Sequence, residues 1–295
     1  MTLDTLPFNT LFIGLGVMGF HMAGHLSKHF PTHVYNRTEA KTLAWSNTFD
    51  GTVVSDLHAL PEGLNVIITC IGNDQDLEQV YLSEQGLVYQ CEPGTILIDH
   101  TTASASIARE IGSQAKKQGL WFIDAPVSGG EQGAISGQLT IMGGGAIDIF
   151  EQVRPVLNCY AKAVTRLGEN GAGQLTKMSN QLAVAGVVQG LAEAIHFAEQ
   201  AGLDCEQVID VISKGAAQSW QMDNRSETMI RGEYEHGFAV DLMRKDLEIC
   251  LSQARQLGAK LPATALIDQF YADIQDMGGN RWDTSSLLER LRGKR

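Results

Sequence analysis

A lysine and an asparagine, Lys177 and Asn180, lie three residues apart at the start of a long apolar segment. Residues three apart in an α-helix share a face, so both polar groups can reach one bound ligand. An ammonium group that exchanges a proton, beside an amide that orients the ligand, suits reduction of a carbonyl or oxidation of an alcohol. A solvated lysine near a helix end is the alternative, so the prediction depends on two motifs upstream.

The first apolar run of the chain ends in a glycine-rich turn, which is followed by a helical pattern from Phe20 to Phe30. The turn has the form G-x-G-x-x-G and consists of Gly14, Leu15, Gly16, Val17, Met18 and Gly19. Between a strand and a helix, these glycines allow a tight turn and let the backbone approach a pyrophosphate at the helix N-terminus. The turn therefore predicts a dinucleotide cofactor.

The end of the second predicted strand indicates which cofactor binds. An NAD site usually has Asp or Glu there, about 20 residues after the turn, to bond the ribose 2′-hydroxyl. This chain has Asn36, Arg37 and Thr38 instead. A guanidinium and neutral hydrogen-bond donors can bind a 2′-phosphate, and these three residues include no carboxylate that would repel it. We therefore expect NADP, with NAD as an alternative. A surface pair between Arg37 and Glu39 would explain the arginine without any cofactor.

A second loop follows the strand Trp121–Ala125 and contains Ser128, Gly129 and Gly130. A serine followed by two glycines leaves backbone N–H groups and a hydroxyl unobstructed, as in a small nest for a carboxylate. The loop lies at the carboxyl edge of the predicted sheet, where open α/β folds bind ligands. An ordinary turn is the alternative. Ser128 lacks a GxSxG elbow and is not expected to be a nucleophile.

Short apolar runs alternate with helical patterns from Asn9 to about Thr165, which is typical of βαβ units around a parallel sheet. The predicted strands are Thr10–Gly14, His33–Tyr35, Val66–Cys70, Thr95–Asp99, Trp121–Ala125 and Leu139–Gly143. After Gly173 only helical periodicity continues. We expect an α/β fold with an N-terminal Rossmann doubly wound sheet (residues 1–168) and an all-α C-terminal domain (residues 169–295), joined by a long interdomain helix.

That long helix runs from Gly173 to about Gln200 and is apolar around most of its circumference. A helix of this kind must be buried, so we expect it between domains or between subunits. The prediction is a homodimer or homotetramer that assembles through the helical domain.

The bulk composition excludes several classes of protein. A formal net charge of −12 opposes binding to nucleic acid. The five cysteines are odd in number and form no CxxC pair, which favours a reducing cytoplasm over a disulfide framework. The segment Met1–Pro7 has no basic export region, and no apolar run approaches the roughly 18 residues that cross a bilayer. We therefore expect a cytoplasmic protein without nucleic acid or membrane partners.

Histidines recur every four residues at His21, His25, His29 and His33. The first two have the spacing of a helical metal pair, but no acidic residue lies between them and no third ligand is evident. A solvated or dimer-facing stripe is the prediction, and no metal site is expected.

Four motifs in order resemble the β-hydroxyacid dehydrogenases, the group that includes 3-hydroxyisobutyrate dehydrogenase, tartronate semialdehyde reductase and glyoxylate/succinic semialdehyde reductase. The resemblance covers nearly the whole chain, through Phe12–Gly19, Asp124–Gly130, Gly168–Asn180 and Phe238 with Lys245-Asp246-Leu247. It implies that Lys177 is the catalytic acid/base, that Asn180 orients substrate or lysine, and that the serine–glycine loop holds a substrate carboxylate.

The resemblance also places Lys245 near the nicotinamide and Thr102 at a cofactor contact. Trp220, Met222 and Phe238 are candidates for the wall of the substrate pocket, and a place in the core is the alternative for each. After the third predicted strand the family often has a Leu-Pro pair, whereas this chain has Cys70-Ile-Gly72-Asn73-Asp74, which puts cofactor contacts there in doubt. Related imine reductases have Asp or Tyr at the position of Lys177, so the lysine favours C=O over C=N chemistry.

These observations predict an NADP-dependent oxidoreductase that interconverts a small β-hydroxy acid and its semialdehyde by hydride transfer. The expected partner is a small carboxylate-bearing substrate. Two alternatives are a non-catalytic NADP-binding sensor and a same-fold enzyme acting on a sugar-phosphate acid or an imine.

Overall fold

The computed structural model describes residues 8–293. The segment Met1–Pro7, on which the expectation of no export signal rests, lies outside the described residues. The chain divides after Lys177 into two compact units, an α/β unit and a helical unit.

Nine strands and thirteen α-helices lie within the described residues. The strands are β1 (Thr10–Ile13), β2 (Thr32–Tyr35), β3 (Thr52–Val53), β4 (Val66–Thr69), β5 (Ile96–Asp99), β6 (Trp121–Asp124), β7 (Val127–Ser128), β8 (Leu139–Gly144) and β9 (Ala161–Gly168). The helices of the α/β unit are α1 (Gly19–Leu26), α2 (Glu39–Ser46), α3 (Asp74–Leu77), α4 (Leu87–Gln90), α5 (Ala105–Lys117), α6 (Gly130–Ile135) and α7 (Ile147–Leu157). The helix α8 (Ala172–Gln200) is followed by α9 (Cys205–Ile212), α10 (Trp220–Arg231), α11 (Val240–Leu257), α12 (Pro262–Asp276) and α13 (Leu287–Arg292).

The first six strands form a parallel sheet in the spatial order β3-β2-β1-β4-β5-β6. The strand β8 pairs antiparallel with β6 and β7 and parallel with β9. The order reverses between β1 and β4, and open α/β sheets bind ligands at such a point, outside the carboxyl ends of the strands. The fold class predicted from the sequence is confirmed.

The register brings the predicted site segments to one edge of this sheet. Ile13 at the end of β1 pairs with Tyr35 and Thr69, the last residues of β2 and β4. Asp99 at the end of β5 pairs with Thr69 and with Asp124, the last residue of β6. The loops that follow these strands therefore emerge side by side.

Both faces of the sheet are buried, which explains the continuous apolar runs in its central strands. One face contributes Phe12, Val34, Ile68, Ile98 and Ile123 to one core cluster. The opposite face contributes Leu11, Ile13, Ile67, Leu97 and Phe122 to a second cluster. Alternate residues of each strand thus pack into the two hydrophobic cores on the opposite faces of a doubly wound sheet.

The strands β3, β7 and β9 were not predicted from the sequence. The first two contain only two residues each, too few for a periodic signal. In β9 the side chains alternate between half-buried and exposed positions, so the strand has no apolar run. Its pairing with β8 is a long-range contact that local patterns do not encode.

Within the described residues, every regular element from residue 172 onward is helical, as expected from the sequence. Helix α8 contributes Ala185, Val188 and Ile195 to the core of the helical unit. Its opposite side is exposed in the single chain, at Val187 (40%) and Phe197 (73%). The core of the helical unit therefore covers one stripe of α8 and leaves a second apolar stripe exposed in the single chain, so the expectation that the helix lies between domains or between subunits stays a prediction.

The same helix is long and apolar enough, by length and composition, to cross a membrane. The expectation from the sequence concerned uninterrupted apolar runs, whereas this helix passes on the mean hydropathy of a longer segment that also contains polar residues. The buried stripe of α8 in the core of the helical unit explains its apolar composition without a bilayer.

The carboxyl group of Asp99 is buried at the end of β5. Its Oδ1 accepts hydrogen bonds from the Thr69 hydroxyl (2.7 Å) and the Thr101 N–H (3.1 Å). Its Oδ2 is buried without a hydrogen-bond partner among the described residues. Burial is the largest cause that raises the pKa of Asp99 from 3.8 to about 7.

This pKa predicts a pH-dependent effect of Asp99→Asn on stability. Between about pH 4 and pH 7 the folded protein retains a proton that the unfolded chain has lost, so the contribution of Asp99 to stability falls as pH rises. Asparagine mimics the protonated form. The unfolding free energy of Asp99→Asn relative to the parent, measured by urea denaturation, should therefore increase across this range and level off above it. A difference that does not change with pH would contradict the assignment.

Candidate active site

The glycine-rich turn connects β1 to α1, and its three glycines have different surroundings. Gly14 has a φ of +101°, and a Cβ there would overlap the carbonyl group of Cys70. A Cβ on Gly19 would overlap the carbonyl oxygen of Gly14, whereas one on Gly16 would meet nothing within 4 Å. The first and third glycines therefore close the turn, and the second leaves its backbone open. This arrangement fits the pyrophosphate of a dinucleotide.

Asn36 holds this turn. Its Oδ1 accepts a hydrogen bond from the Leu15 N–H (2.9 Å), and its Nδ2 donates to the Thr38 carbonyl (3.1 Å). The sequence analysis gave Asn36 a role as a donor to a 2′-phosphate. In the structure both ends of its amide bind backbone groups, so its observed role is to connect the end of β2 to the glycine-rich turn.

Arg37 extends from the same strand end with 90% of its side chain exposed. Its Nη1 lies 3.9 Å from Oδ1 of Asp76, and no ion pair with Glu39 is among the described contacts. Asp76 was not anticipated from the sequence, because it lies on helix α3 after β4 and only the fold brings it near Arg37. Beside Arg37 lies a cleft of about 730 Å³, lined by residues that include Tyr35, Thr42, Leu43, Val53 and Ser55.

Thr102 is half-buried on the loop that follows β5. The preceding residue, Thr101, accepts a hydrogen bond from the Ile71 N–H through its hydroxyl (3.0 Å). The Ser104 N–H donates to Oδ1 of Asp74 (2.9 Å). The segment where the family's Leu-Pro pair is absent thus contacts the Thr102 loop directly.

Ser128 ends β7, Gly129 is the N-cap of helix α6, and Gly130 is the first residue of that helix. Gly129 has a φ of +133° and Gly130 a φ of +62°, conformations that L side chains rarely adopt. Both glycines are exposed and Ser128 is half-buried. The backbone therefore has the open, glycine-dependent shape expected of a carboxylate nest.

Asp124 caps the helix that carries Lys177. Its Oδ1 accepts from the Gly171 N–H (2.8 Å), and its Oδ2 accepts from the Gln174 N–H (3.1 Å). Burial raises the pKa of Asp124, and these hydrogen bonds partly oppose that rise. A Cβ on Gly173 would lie 2.5 Å from the carbonyl oxygens of Asp124 and Met142, so the helix start is packed directly on the strands. Lys177 lies in the second turn of this helix and is only 8% exposed.

The sequence analysis gave no role to Asp124 or to Gln174. The position of Asp124 at the end of the apolar strand Trp121–Asp124 could have indicated a structural role, because a buried carboxylate needs hydrogen-bond donors nearby. Its partners lie 47 and 50 residues further along the chain and are not identified by local patterns.

Asn180, Phe238 and Lys245 belong to the helical unit. Asn180 Nδ2 donates to Oε1 of Gln181 (2.8 Å), and Gln181 Nε2 donates to Oδ2 of the buried Asp246 (2.7 Å). The Lys245 Nζ lies 3.2 Å from Oδ1 of the same carboxylate. The structure therefore connects the two predicted residues Asn180 and Lys245 through an amide and a carboxylate.

The loop that carries Phe238 is held by Asp283, whose Oδ2 accepts from the Phe238 N–H (2.8 Å). Oδ1 of this carboxylate pairs with Nε of Arg225 (3.4 Å), and the Arg225 guanidinium lies 5.1 Å from the ring of Trp220. Met222 is 4% exposed and packs in the core of the helical unit, so it is a core residue rather than a pocket wall.

The histidine stripe has local roles. His25 Nε2 lies 3.1 Å and 3.0 Å from the carbonyl oxygens of Ala134 and Ile135, at the end of α6. Burial lowers the pKa of His21, and the nearby Glu131 opposes this effect. Among residues 8–293, no group of three or more His, Cys, Asp or Glu side chains is arranged to hold a metal ion.

Comparisons with known proteins agree with this geometry. A family model for the NAD binding domain of 6-phosphogluconate dehydrogenase matches residues 9–168. A second model, described as NAD-binding of NADP-dependent 3-hydroxyisobutyrate dehydrogenase, matches residues 171–291. The chain is 55% identical over 285 residues to an uncharacterized oxidoreductase of Shewanella frigidimarina, with 96% of this chain and 98% of the relative covered.

It is also 33% identical over 281 residues to 2-hydroxy-3-oxopropionate reductase of Escherichia coli, with 95% and 96% covered. A solved structure of Mycobacterium tuberculosis 3-hydroxyisobutyrate dehydrogenase with L-serine superposes with a TM-score of 0.87 at 27% identity, covering 97% of this chain and all of that one. The chain therefore belongs to the β-hydroxyacid dehydrogenase family and is an NAD(P)-dependent oxidoreductase that acts on hydroxyl groups.

Proposed function

We propose that this protein is an NADP-dependent enzyme that interconverts a small β-hydroxy acid and its semialdehyde, with Lys177 as the acid/base. The observation that carries the proposal is the position of Lys177. It is almost buried within the first turns of α8, on a helix whose N-terminus is fixed by Asp124. The same unit contains the glycine-rich turn and the Ser128–Gly130 nest.

In this mechanism the residues of the chain bind, orient and exchange a proton. The Ser128 hydroxyl and the backbone N–H groups of Gly129 and Gly130 bind the substrate carboxylate. Lys177 takes the proton of the substrate hydroxyl during oxidation and returns it during reduction, a transfer worth about 10² to 10⁴ in rate. Asn180 orients the substrate or the lysine by hydrogen bonding. A nicotinamide cofactor, when bound, accepts or supplies the hydride.

The cofactor would be held by Gly14, Leu15, Gly16, Val17, Met18 and Gly19, with Arg37 and Thr38 at the 2′-phosphate and Thr102 and Lys245 as further contacts. NADP is favoured by the exposed guanidinium of Arg37 and by the name of the family model that matches residues 171–291. Asp76 opposes this preference, because its carboxylate lies close to the place where a 2′-phosphate would bind Arg37.

The proposed substrates share a carboxylate and a hydroxyl on the β carbon. L-serine, the molecule bound in the similar M. tuberculosis enzyme, has both groups. The name of the E. coli relative describes the reduction of a three-carbon oxo acid. Phe238 would form part of the wall around the substrate's remaining groups.

A substrate panel tests the proposal. Small β-hydroxy acids and semialdehydes are assayed with NADP(H) and NAD(H) through the absorbance of the reduced nicotinamide. We expect turnover with members that have both a carboxylate and a β-hydroxyl or β-aldehyde group, and none with imines of equal size, which are assayed as controls. Turnover of imines alone, or of none of these compounds, would refute the proposal.

We further propose a division into a cofactor domain (residues 1–168) and a helical substrate and oligomerisation domain (169–295).

We also propose that the protein is cytoplasmic. This is supported by the five cysteines, which are all free thiols, as in a reducing compartment. Burial raises the pKa of Cys91 to about 12 and that of Cys159 to about 11, which keeps both thiols protonated and unreactive.

Lys177→Ala should lower kcat by about two to four decades, because the proton donor is removed while the glycine-rich turn is unchanged. Lys177→Arg should restore little, since a guanidinium keeps its charge but does not release a proton near neutral pH. The measurement is steady-state kinetics, with NADPH binding followed by fluorescence and folding by thermal melting. Activity that falls only in step with the folded fraction would show that the lysine is structural.

Arg37→Ala should raise the KM for NADPH and leave that for NADH nearly unchanged, because a charge-assisted contact with the 2′-phosphate is lost. Asp76→Asn is the matched opposite, since it removes the carboxylate beside Arg37 and should lower the KM for NADPH. Both are measured as kcat/KM for the two cofactors. A parent enzyme that prefers NADH would contradict the NADP assignment.

The chain should form a dimer or tetramer through the helical unit, because the stripe at Val187 and Phe197 exposes apolar area that association would bury. Phe197→Glu should weaken this assembly in sedimentation, and Leu43→Glu, at an exposed leucine of the α/β unit, is the matched control. A stable parent monomer of 32.0 kDa at micromolar concentration would contradict the prediction.

A further inference from the structure

Gln174 is a fully buried polar residue in the first turn of α8. Its Nε2 donates to the carbonyl oxygen of Thr101 (2.7 Å), and its Oε1 accepts from the N–H of Ala103 (3.0 Å). These two backbone groups flank Thr102. One amide side chain therefore holds the loop after β5 on both sides of the residue that is expected to contact the cofactor.

The backbone of the same residue contacts another strand end. The Gln174 N–H donates to Oδ2 of Asp124, the last residue of β6. The loop that Gln174 binds has further fixed partners, since the Thr101 N–H donates to Asp99 and the Thr101 hydroxyl accepts from the Ile71 N–H. Gln174 thus joins α8 to the ends of two neighbouring strands.

The chemistry of the amide suits this position. A buried polar group is unfavourable unless it is hydrogen-bonded, and an amide offers one acceptor and one donor group in a fixed plane. A leucine would fill similar volume but leave the Thr101 carbonyl and the Ala103 N–H without these partners. Buried glutamine is therefore explained by the two backbone groups it contacts.

Lys177 lies three residues after Gln174, on the same face of the helix. Any change in how α8 meets the Thr102 loop consequently moves Lys177 with the first turn. A displacement of about 1 Å in a reacting geometry can lower a rate by about 10²-fold.

We propose that Gln174 is a positioning residue that sets the place of Lys177 relative to the Thr102 loop, so that one side chain couples the cofactor contact to proton transfer. This inference rests on the proposed function of Lys177. In this proposal Gln174 contacts neither substrate nor cofactor. It acts through its hydrogen bonds to the backbone of Thr101 and Ala103.

The first test is Gln174→Leu, with Gln189→Leu as the matched control. Gln189 is a mostly buried glutamine of the same helix whose Nε2 donates to Glu193. We expect Gln174→Leu to lower kcat by about 10- to 100-fold, to shift the pH–kcat profile that reports Lys177 and to weaken NADPH binding. Hydrogen exchange at the Ala103 N–H should become faster in this variant, and Gln189→Leu should match the parent in all four measurements.

The second test is Gln174→Glu, which keeps the shape of the side chain. A protonated glutamic acid can still donate to the Thr101 carbonyl, whereas the carboxylate places a second acceptor against it. We expect the kcat of Gln174→Glu relative to the parent to rise as pH falls and this buried carboxyl becomes protonated. If Gln174→Leu does not fold, this pH dependence decides the question.

A folded Gln174→Leu protein whose kcat stays within about twofold of the parent at every pH would overturn the inference. A ratio of the kcat of Gln174→Glu to that of the parent that does not change with pH would also overturn it. The proposed function fails in a different way, through Lys177→Ala that keeps parental activity. Loss of activity in Lys177→Ala together with a parent-like Gln174→Leu would reject only the role of Gln174.

Discussion

The carboxylate of Asp124 holds together the parts on which the site depends. It lies at the end of β6, is completely buried, and accepts the N–H groups of Gly171 and Gln174 at the start of α8. Burial of a charge opposes ionisation, and the positive end of a helix with its unpaired N–H groups offsets that effect. The helix that carries Lys177 is therefore attached at a defined point of the sheet edge, and the glycine at position 173 permits this approach.

The same edge of the sheet collects the other groups because neighbouring strands end in register. Ile13, Thr69, Asp99 and Asp124 are cross-strand partners, so the loops after β1, β4, β5 and β6 begin at one level. Side chains then connect these loops, as Asn36 does for the glycine-rich turn and Gln174 for the Thr102 loop. The site is built from short loops on a rigid sheet, which limits the movement of each group.

The sequence predicts those features that local patterns encode. The buried central strands, the glycine-rich turn and α8 each have a periodicity or a spacing that follows from their own residues. The contacts of Asp76 with Arg37 and of Gln174 with Thr101 join residues 39 and 73 positions apart, and no local pattern indicates them. The apolar composition of α8 predicts burial but does not show which of its faces the core of the helical unit covers and which is left for another surface.

The most direct test of this account is single-turnover hydride transfer in Asp124→Asn. An asparagine offers one acceptor and turns an NH₂ group toward the second helix N–H, so the first turn of α8 loses one of its two attachments. We expect a folded protein that, at saturating NADPH, transfers hydride at least about tenfold more slowly than the parent, because Lys177 is displaced. Hydride transfer at the parental rate would contradict the claim that Asp124 positions Lys177, the proposed acid/base.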